Sequence, residues 1–301
     1  MAGIMKALST FEINSRFSDY LPRRPQRTSK ATNQNAHPVN CTFATGDRRL
    51  RCATVLLCWL SAVATCAARG AENQPPPGFA ALFNARDFSG WKVPEGDNGH
   101  WKVIDGVIDY DAESEAKGDK TLWTEREFGD FVLHVDWRIK DAPYVNPNVF
   151  VILPDGTHAR DIRGKELRMA LPDSDSGIYL RGSGKYQLNI WCWPIGSGEM
   201  YGVRMDAKMP AEVRSAVTPR TQADKPVGEW NRFEITVRGS TVSVVLNGKT
   251  IIPGAQIPGL PARGAIALQH HGSKRDGKWT SPPALVQFKN IFIKELGKQA
   301  E

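Results

Sequence analysis

Between Phe131 and His271 the chain repeatedly alternates apolar residues with polar or aromatic ones, and this period of two dictates strands. In FVLHVDWRI (131–139), Phe131, Leu133, Val135, Trp137 and Ile139 share one side, and His134, Asp136 and Arg138 share the other. GIYLR (177–181) sets Ile178 and Leu180 against Tyr179 and Arg181. YQLNIWCW (186–193) sets Tyr186, Leu188, Ile190 and Cys192 against Gln187, Asn189, Trp191 and Trp193. AIALQHH (265–271) sets Ile266 and Leu268 against Gln269 and His271. Successive strand side chains point to opposite faces, so the pattern predicts a sheet with a greasy back and a polar, aromatic-lined front. Such a front suits a carbohydrate: flat rings stack on the apolar faces of sugars, while amides, carboxylates and guanidinium groups bind hydroxyls.

The same texture extends beyond these segments. Strand-like runs occur at WKVIDGVIDY (101–110), FEITVR (233–238), TVSVVLNG (241–248) and VQFKNIFIKEL (286–296), separated by turn signals such as Asp105–Gly106, Gly182–Gly184, Gly239–Ser240 and Asn247–Gly248. No segment holds a helical period beyond a turn or two. Many short strands with closely spaced turns predict an all-β fold, an antiparallel β-sandwich. Residues 140–175, rich in Pro, Asp and Arg, read as an insertion of the length expected for a lid or binding loop.

The first 71 residues read differently. RRLR (48–51), the apolar run 52–67 and the small residues that follow have the basic flank, apolar core and exit of a secretory signal peptide. The run is shorter than the ~20 residues of a membrane span, so the expectation is an exported protein, periplasmic or extracellular, without a stable membrane span after cleavage. Cys66 is a weak lipidation site because Thr65 precedes it. NQPPPG (73–78) reads as extended linker, leaving 1–71 as leader, 72–77 as linker and 78–297 as one domain. The formal charge of +7 belongs to the leader: residues 1–70 hold 10 Lys and Arg against 3 Asp and Glu, and the remainder holds 29 of each. The domain therefore carries no electrostatic case for nucleic acid. Four cysteines lie in the leader; Cys192 alone remains, so a disulfide within the domain is excluded.

LFNARDFSGW (82–91), WKVIDGVI (101–108), DFVLHVDWRI (130–139), DSGIYLRG (175–182), GEWNRFEI (228–235), LNGK (246–249), IALQHHG (266–272) and FKNIFIKEL (288–296) occur in the order found in the 3-keto-disaccharide hydrolase domain family, which the chain resembles over roughly 78–297. The resemblance implies a jelly-roll sandwich of the concanavalin A-like lectin/glucanase type, with a sugar site on its concave sheet. It also implies cleavage of glycosides whose C3 hydroxyl has been oxidised to a ketone. The chain departs from the family pattern at Asp175, where Asn is usual before Ser-Gly, at Trp191–Trp193, near which relatives carry an acidic residue, and in the insertion.

A C3 ketone acidifies the C2 proton, so a base can form an enolate, the C1 oxygen can leave with help from an acid, and water can add back. That chemistry needs a base, an acid and something to hold the enolate oxygen. The candidates are Asp136, His134, His271 and Arg181 for catalysis, with Gln187, Asn189, Gln269, Tyr179 and Trp191 for the sugar. His134, Asp136 and His271 are also a candidate set for a divalent cation polarising the ketone, although no tight ligand motif is present. Direct hydrolysis would need two opposed carboxylates; Asp136 lacks an evident strand-borne partner, and Glu166 and Glu199 fall in loops. Each choice has a plainer alternative. Asp136 can form a cross-strand ion pair, Trp191 can pack beneath the insertion, His270 can sit in the core, and the whole domain can be a non-catalytic carbohydrate-binding module on the same scaffold.

Overall fold

The computed structural model describes residues 73–297; the expected leader and signal peptide lie outside them. The chain forms β1 (Ala80–Ala81), β2 (Trp91–Lys92), β3 (Trp101–Ile104), β4 (Val107–Tyr110), β5 (Leu122–Phe128), β6 (Phe131–Ile139), β7 (Tyr144–Phe150), β8 (Arg168–Asp173), β9 (Asp175–Leu180) and β10 (Ser183–Trp191). Two short helices follow, α1 (Tyr201–Arg204) and α2 (Ala211–Ala216). The remaining strands are β11 (Asn231–Arg238), β12 (Thr241–Leu246), β13 (Lys249–Gln256), β14 (Gly264–Leu268), β15 (Ser273–Arg275), β16 (Lys278–Ser281) and β17 (Val286–Glu295).

Two antiparallel sheets carry the fold, as the alternation predicts. The large sheet runs β13-β12-β11-β6-β17-β4-β3, with β1 on β17; the small sheet runs β10-β9-β14-β5-β2. Their inner faces make one core. The large sheet contributes Leu133, Val135, Trp137, Phe233, Ile235, Val244 and Phe288, and the small sheet contributes Leu122, Ile178, Leu180, Leu188, Ile190, Ile266 and Leu268, all in one buried cluster. Trp91, Trp101 and Trp137 belong to it as expected. Trp230 does not: it is half-buried on the outer face of the large sheet, beside the side chains of Arg138 and Lys289. Among the described residues no helix is long and apolar enough to cross a membrane.

Turn chemistry sets the register. Asp105–Gly106 and Asn247–Gly248 have positive φ at both residues, the twist that suits a two-residue hairpin. Arg181–Gly182 joins β9 to β10 in the same way, with Arg181 at φ 50°. A left-handed arginine is uncommon, and its side chain supplies the compensation. The buried guanidinium donates to the carbonyls of Gly129 (2.9 Å), Gly239 (2.6 Å) and Pro261 (2.9 Å) and pairs with Asp130 at 2.8 Å. Arg181 therefore ties three loops together at one end of the sandwich.

The insertion is not an open loop. β7 and β8 form a hairpin whose backbone is extended by bridges at Ile152↔His158 and Arg160↔Glu166. It builds a second small core, in which Val149, Trp191 and Trp193 are packed by Phe150, Ile152, Met169, Leu171 and Ile195. The upstream segment is likewise fixed to the domain: Asn73 donates its backbone N–H to Asn290 Oδ1 (2.7 Å) and its side-chain amide to the Phe83 carbonyl (3.2 Å).

Candidate functional site

The nine expected site residues do not share a face. Asp136 and His134 lie on the outer face of the large sheet, whereas Tyr179, Gln187, Asn189, Gln269 and His271 lie on the outer face of the small one, with the core between them. Period two separates inward from outward, but both sheets have an outward side. Asp136 accepts from Arg232 Nε (2.6 Å) and Nη2 (2.8 Å) and from Asn290 Nδ2 (2.7 Å), a closed ion-pair arrangement. His134 lies against Phe79, with ring centroids 4.4 Å apart and planes tilted by 33°, and burial holds its imidazole below the ordinary pKa. The cation set His134, Asp136 and His271 therefore does not converge, and no group of His, Cys, Asp or Glu among the described residues has the spacing to hold a metal ion. Arg181 is committed to its carbonyls and Asp130. Trp191 is buried beneath the hairpin, stacked on Trp193 at 4.2 Å with its Nε1–H on the Gly196 carbonyl (2.7 Å), so it offers no open ring to a ligand.

What the small sheet assembles is a set of cross-strand rows. Gln187 lies opposite Tyr179, Tyr179 opposite Ala267, and Ala267 opposite Trp123. One step along, Asn189 lies opposite Gly177, and Gln269 N–H donates to the Gly177 carbonyl at 2.9 Å. In the third row Trp191 lies opposite Asp175, and His271 follows two residues after Gln269. Pro283 and Ala284 stitch this row shut: Asp175 N–H donates to the Pro283 carbonyl (3.2 Å), and Ala284 N–H donates to the His271 carbonyl (2.9 Å).

The glycine in the second row is required. A Cβ at Gly177 would run into the Gln187 amide, which lies across it and donates to Gln269 Oε1 (2.6 Å) and the Ser176 carbonyl (3.2 Å). Asn189 is buried, yet its side-chain amide has no hydrogen-bond partner among the described residues; only its backbone is used, in bonds with Gly198 and Glu199. The amide is not among the polar atoms sealed from solvent without a partner, so it keeps a little contact with solvent at the sheet surface, which marks Asn189 as a group available to a ligand.

The third row holds the titratable chemistry. His271 Nδ1 lies 2.6 Å from the Pro282 carbonyl. A carbonyl only accepts, so Nδ1 carries the proton and Nε2 keeps a free lone pair. The Asp175 carboxyl keeps some contact with solvent but is crowded by protein on nearly all sides. Burial pushes it up to about 7; nearby His271 opposes that, and the carboxyls of Asp173 and Glu199 add to it. Asp173 is fully buried and accepts from Asn146 Nδ2 (2.8 Å), Trp193 Nε1 (3.0 Å) and Cys192 N–H (3.2 Å). Glu199 is buried against Arg204, and desolvation lifts it to about 7 despite that partner. Arg204 in turn donates to His158 Nε2 (3.0 Å) and the Gly156 carbonyl (3.2 Å), and His158 Nδ1 faces Glu166 at 3.1 Å. This chain fastens the insertion to the sheet beside the third row. His270 is half-buried next to His271, its Nδ1 2.6 Å from the Tyr110 hydroxyl, and burial drops it to about 4.

Asp175 and Trp123 were not among the sequence candidates. Both carried a signal: Asp175 is four residues before Tyr179 and so shares its face, and Trp123 stands outward between inward Leu122 and Thr124.

A profile of the 3-keto-alpha-glucoside-1,2-lyase-like domain matches residues 78–294. The chain belongs to that family. Membership makes it a carbohydrate-active protein and bears out both the family resemblance and the sandwich that it implies. No curated protein matches the chain. Among solved structures, two candidate glycosyl hydrolases from Parabacteroides distasonis ATCC 8503 are similar. One has 21% identity and a TM-score of 0.48 over 75% of this chain and 100% of that one. The other has 23% identity and a TM-score of 0.44 over 73% and 85%. A carbohydrate-binding module from Bacillus subtilis is similar at 12% identity and a TM-score of 0.35 over 68% of this chain and 96% of that one.

Proposed function

We propose that the chain cleaves 3-keto-glycosides by elimination across C1 and C2 on the outer face of the small sheet. The carrying observation is the Asp175–His271 row: an imidazole with its free lone pair fixed on Nε2, beside a carboxyl pushed up to about 7. His271 Nε2 takes the C2 proton, whose carbon the adjacent ketone has acidified. The C2 electron pair becomes the C1–C2 double bond, and the C1–O bond breaks as protonated Asp175 gives its proton to the leaving oxygen. The products are an unsaturated 3-keto sugar and the free alcohol; water adding to the first gives the 3-keto sugar. The two groups supply the proton acceptor and the proton donor that general acid–base catalysis asks for. Asn189 and Gln269 supply amide N–H groups for the ring hydroxyls and the developing enolate oxygen, and Gln187, which donates to Gln269 Oε1, holds that amide in place and offers its own Oε1 to a hydroxyl.

The test is to incubate the protein with 3-keto-trehalose, 3-keto-lactose and their unoxidised parents, with and without chelator. The expected result is release of the alcohol from the keto forms alone. Saturable sugar binding without release would instead make the domain a carbohydrate-binding module. Export through a signal peptide at 48–71 stays part of the proposal, with the appearance of the processed protein outside the cell as its check.

A further inference from the structure

The third row is closed at its far end, and the first row is open. Beyond Asp175 stand the β7–β8 hairpin, packed on Trp191 and Trp193, and the β15–β16 hairpin, which touches β7. Ser174 Oγ seals the junction by donating to the Pro283 carbonyl at 2.6 Å. The opposite end leads past Tyr179 to the β9–β10 turn, where Gly184 has no side chain; even a Cβ there would press the Tyr179 ring at 3.3 Å.

On that open end two aromatic rings face outward. Trp123 and Tyr179 are each only half-buried, with ring centroids 5.6 Å apart and planes inclined by 56°. Ala267, paired with both, lies fully buried between them. Trp123 is held in place by its Nε1–H on Asp119 Oδ2 (2.6 Å). Four residue steps of strand lead from Asp175 to Tyr179, roughly 13 Å at ~3.3 Å per residue, enough to span two linked pyranose rings.

Resting on the elimination reading, we infer that Trp123 and Tyr179 form the leaving-group subsite, a stacking platform for the second sugar ring of a 3-keto-disaccharide. The keto sugar occupies the walled end over Asp175, Asn189 and His271. The chain is then an exo-acting enzyme, selective for glycosides whose leaving group presents a flat, partly apolar ring.

The experiment compares kcat/KM for a 3-keto-disaccharide and for methyl 3-keto-glucoside in the wild type, Trp123→Ala and Trp123→Phe. Trp123→Ala is expected to lose about tenfold on the disaccharide, the worth of one apolar ring face, and to leave the methyl glycoside within about twofold. Trp123→Phe keeps a flat ring without the bond to Asp119, so it is expected to recover most of that preference. Thermal unfolding of both variants checks that they fold. An unchanged ratio of the two kcat/KM values in Trp123→Ala overturns the subsite, as does a Phe variant no better than Ala. Turnover of neither substrate by the wild type overturns the elimination reading, and the subsite with it.

Discussion

Replacing Asp175 by Asn should make the protein more stable at alkaline pH and nearly inactive, and both effects follow from one displaced proton. The carboxyl is held at about 7 instead of its ordinary 3.8. Between those values the folded chain keeps a proton that the unfolded chain has released. The unfolded state therefore binds fewer protons, and stability falls as pH rises from about 4 to about 7, with nothing further lost above the folded pKa. At 1.36 kcal/mol per pH unit the full effect is about 4 kcal/mol. Asp175 keeps some solvent contact and feels His271, so about 2 kcal/mol is the reasonable expectation.

Asparagine keeps the shape and removes the titration. Urea denaturation of the full chain at pH 5 and pH 8, wild type against variant, isolates this group, because Glu199 and the other raised carboxyls are common to both proteins. The wild type should lose about 1 kcal/mol relative to the variant between the two pH values, because part of the fall lies below pH 5, or roughly 2–4 °C in Tm for a domain of this size. On a 3-keto-glycoside, wild-type turnover should fall as pH rises through about 7, and the variant should lose about 10²–10⁴-fold at pH 6. Parallel stability profiles would refute the raised pKa. Wild-type-like turnover in the variant would refute Asp175 as the acid and leave the proton to another group in the row.

Other perturbations separate the two outer faces. His271→Ala should abolish release of the alcohol with little change in the urea midpoint, because the imidazole is half-buried and makes one bond to Pro282. Asp136→Asn and His134→Ala should keep most of the turnover, since both residues lie across the core from the candidate site; a common loss of activity in steady-state assays would move the site to the large sheet. Arg204→Met strands the buried Glu199 carboxyl, so it should cost about 3–5 kcal/mol by denaturation and expose the 144–173 hairpin to limited proteolysis. Gly177→Ala forces the Gln187 amide from its place and should cost about 1–3 kcal/mol, together with a rise in KM for the keto substrate.

Much of the fold could be read from the chain because alternation and turn chemistry act locally. The inward residues of β6, β9, β10 and β14 follow from the period of two, and the hairpins at Asp105–Gly106 and Asn247–Gly248 follow from residues that tolerate positive φ. What local rules omit is which sheet a strand joins. FVLHVDWRI and AIALQHH have equally polar outward sides, yet β6 pairs with β11 and β17 while β14 pairs with β5 and β9. Pairing partners roughly 90 to 160 residues apart in sequence decide whether His134 and His271 can meet, and no period encodes that. Arg181 shows the same gap in another form. Its outward position on β9 suggested an anion-holding role, but a left-handed turn swings it onto three distant carbonyls.

The two outer faces differ in a way that outward polarity alone does not capture, namely whether their polar groups already have partners. On the large sheet Asp136 is filled by Arg232 and Asn290, Arg138 Nε bonds Gln287 at 2.6 Å, and Lys140 reaches Asp109 at 2.9 Å. Such a face gains nothing from a ligand, because each new hydrogen bond would replace one already made. On the small sheet the Asn189 amide makes no hydrogen bond among the described residues and meets solvent, His271 Nε2 keeps its lone pair, and Asp175 is raised because burial removes water without supplying a donor. The crowded Asp175 carboxyl costs the free protein stability, and a polyhydroxylated ligand can offset that cost by donating to it, while Asn189 and His271 stay open to the same ligand. The incompleteness is also what leaves a proton donor and a proton acceptor free to act on a substrate, so the same physical fact that weakens this face selects it as the place of reaction.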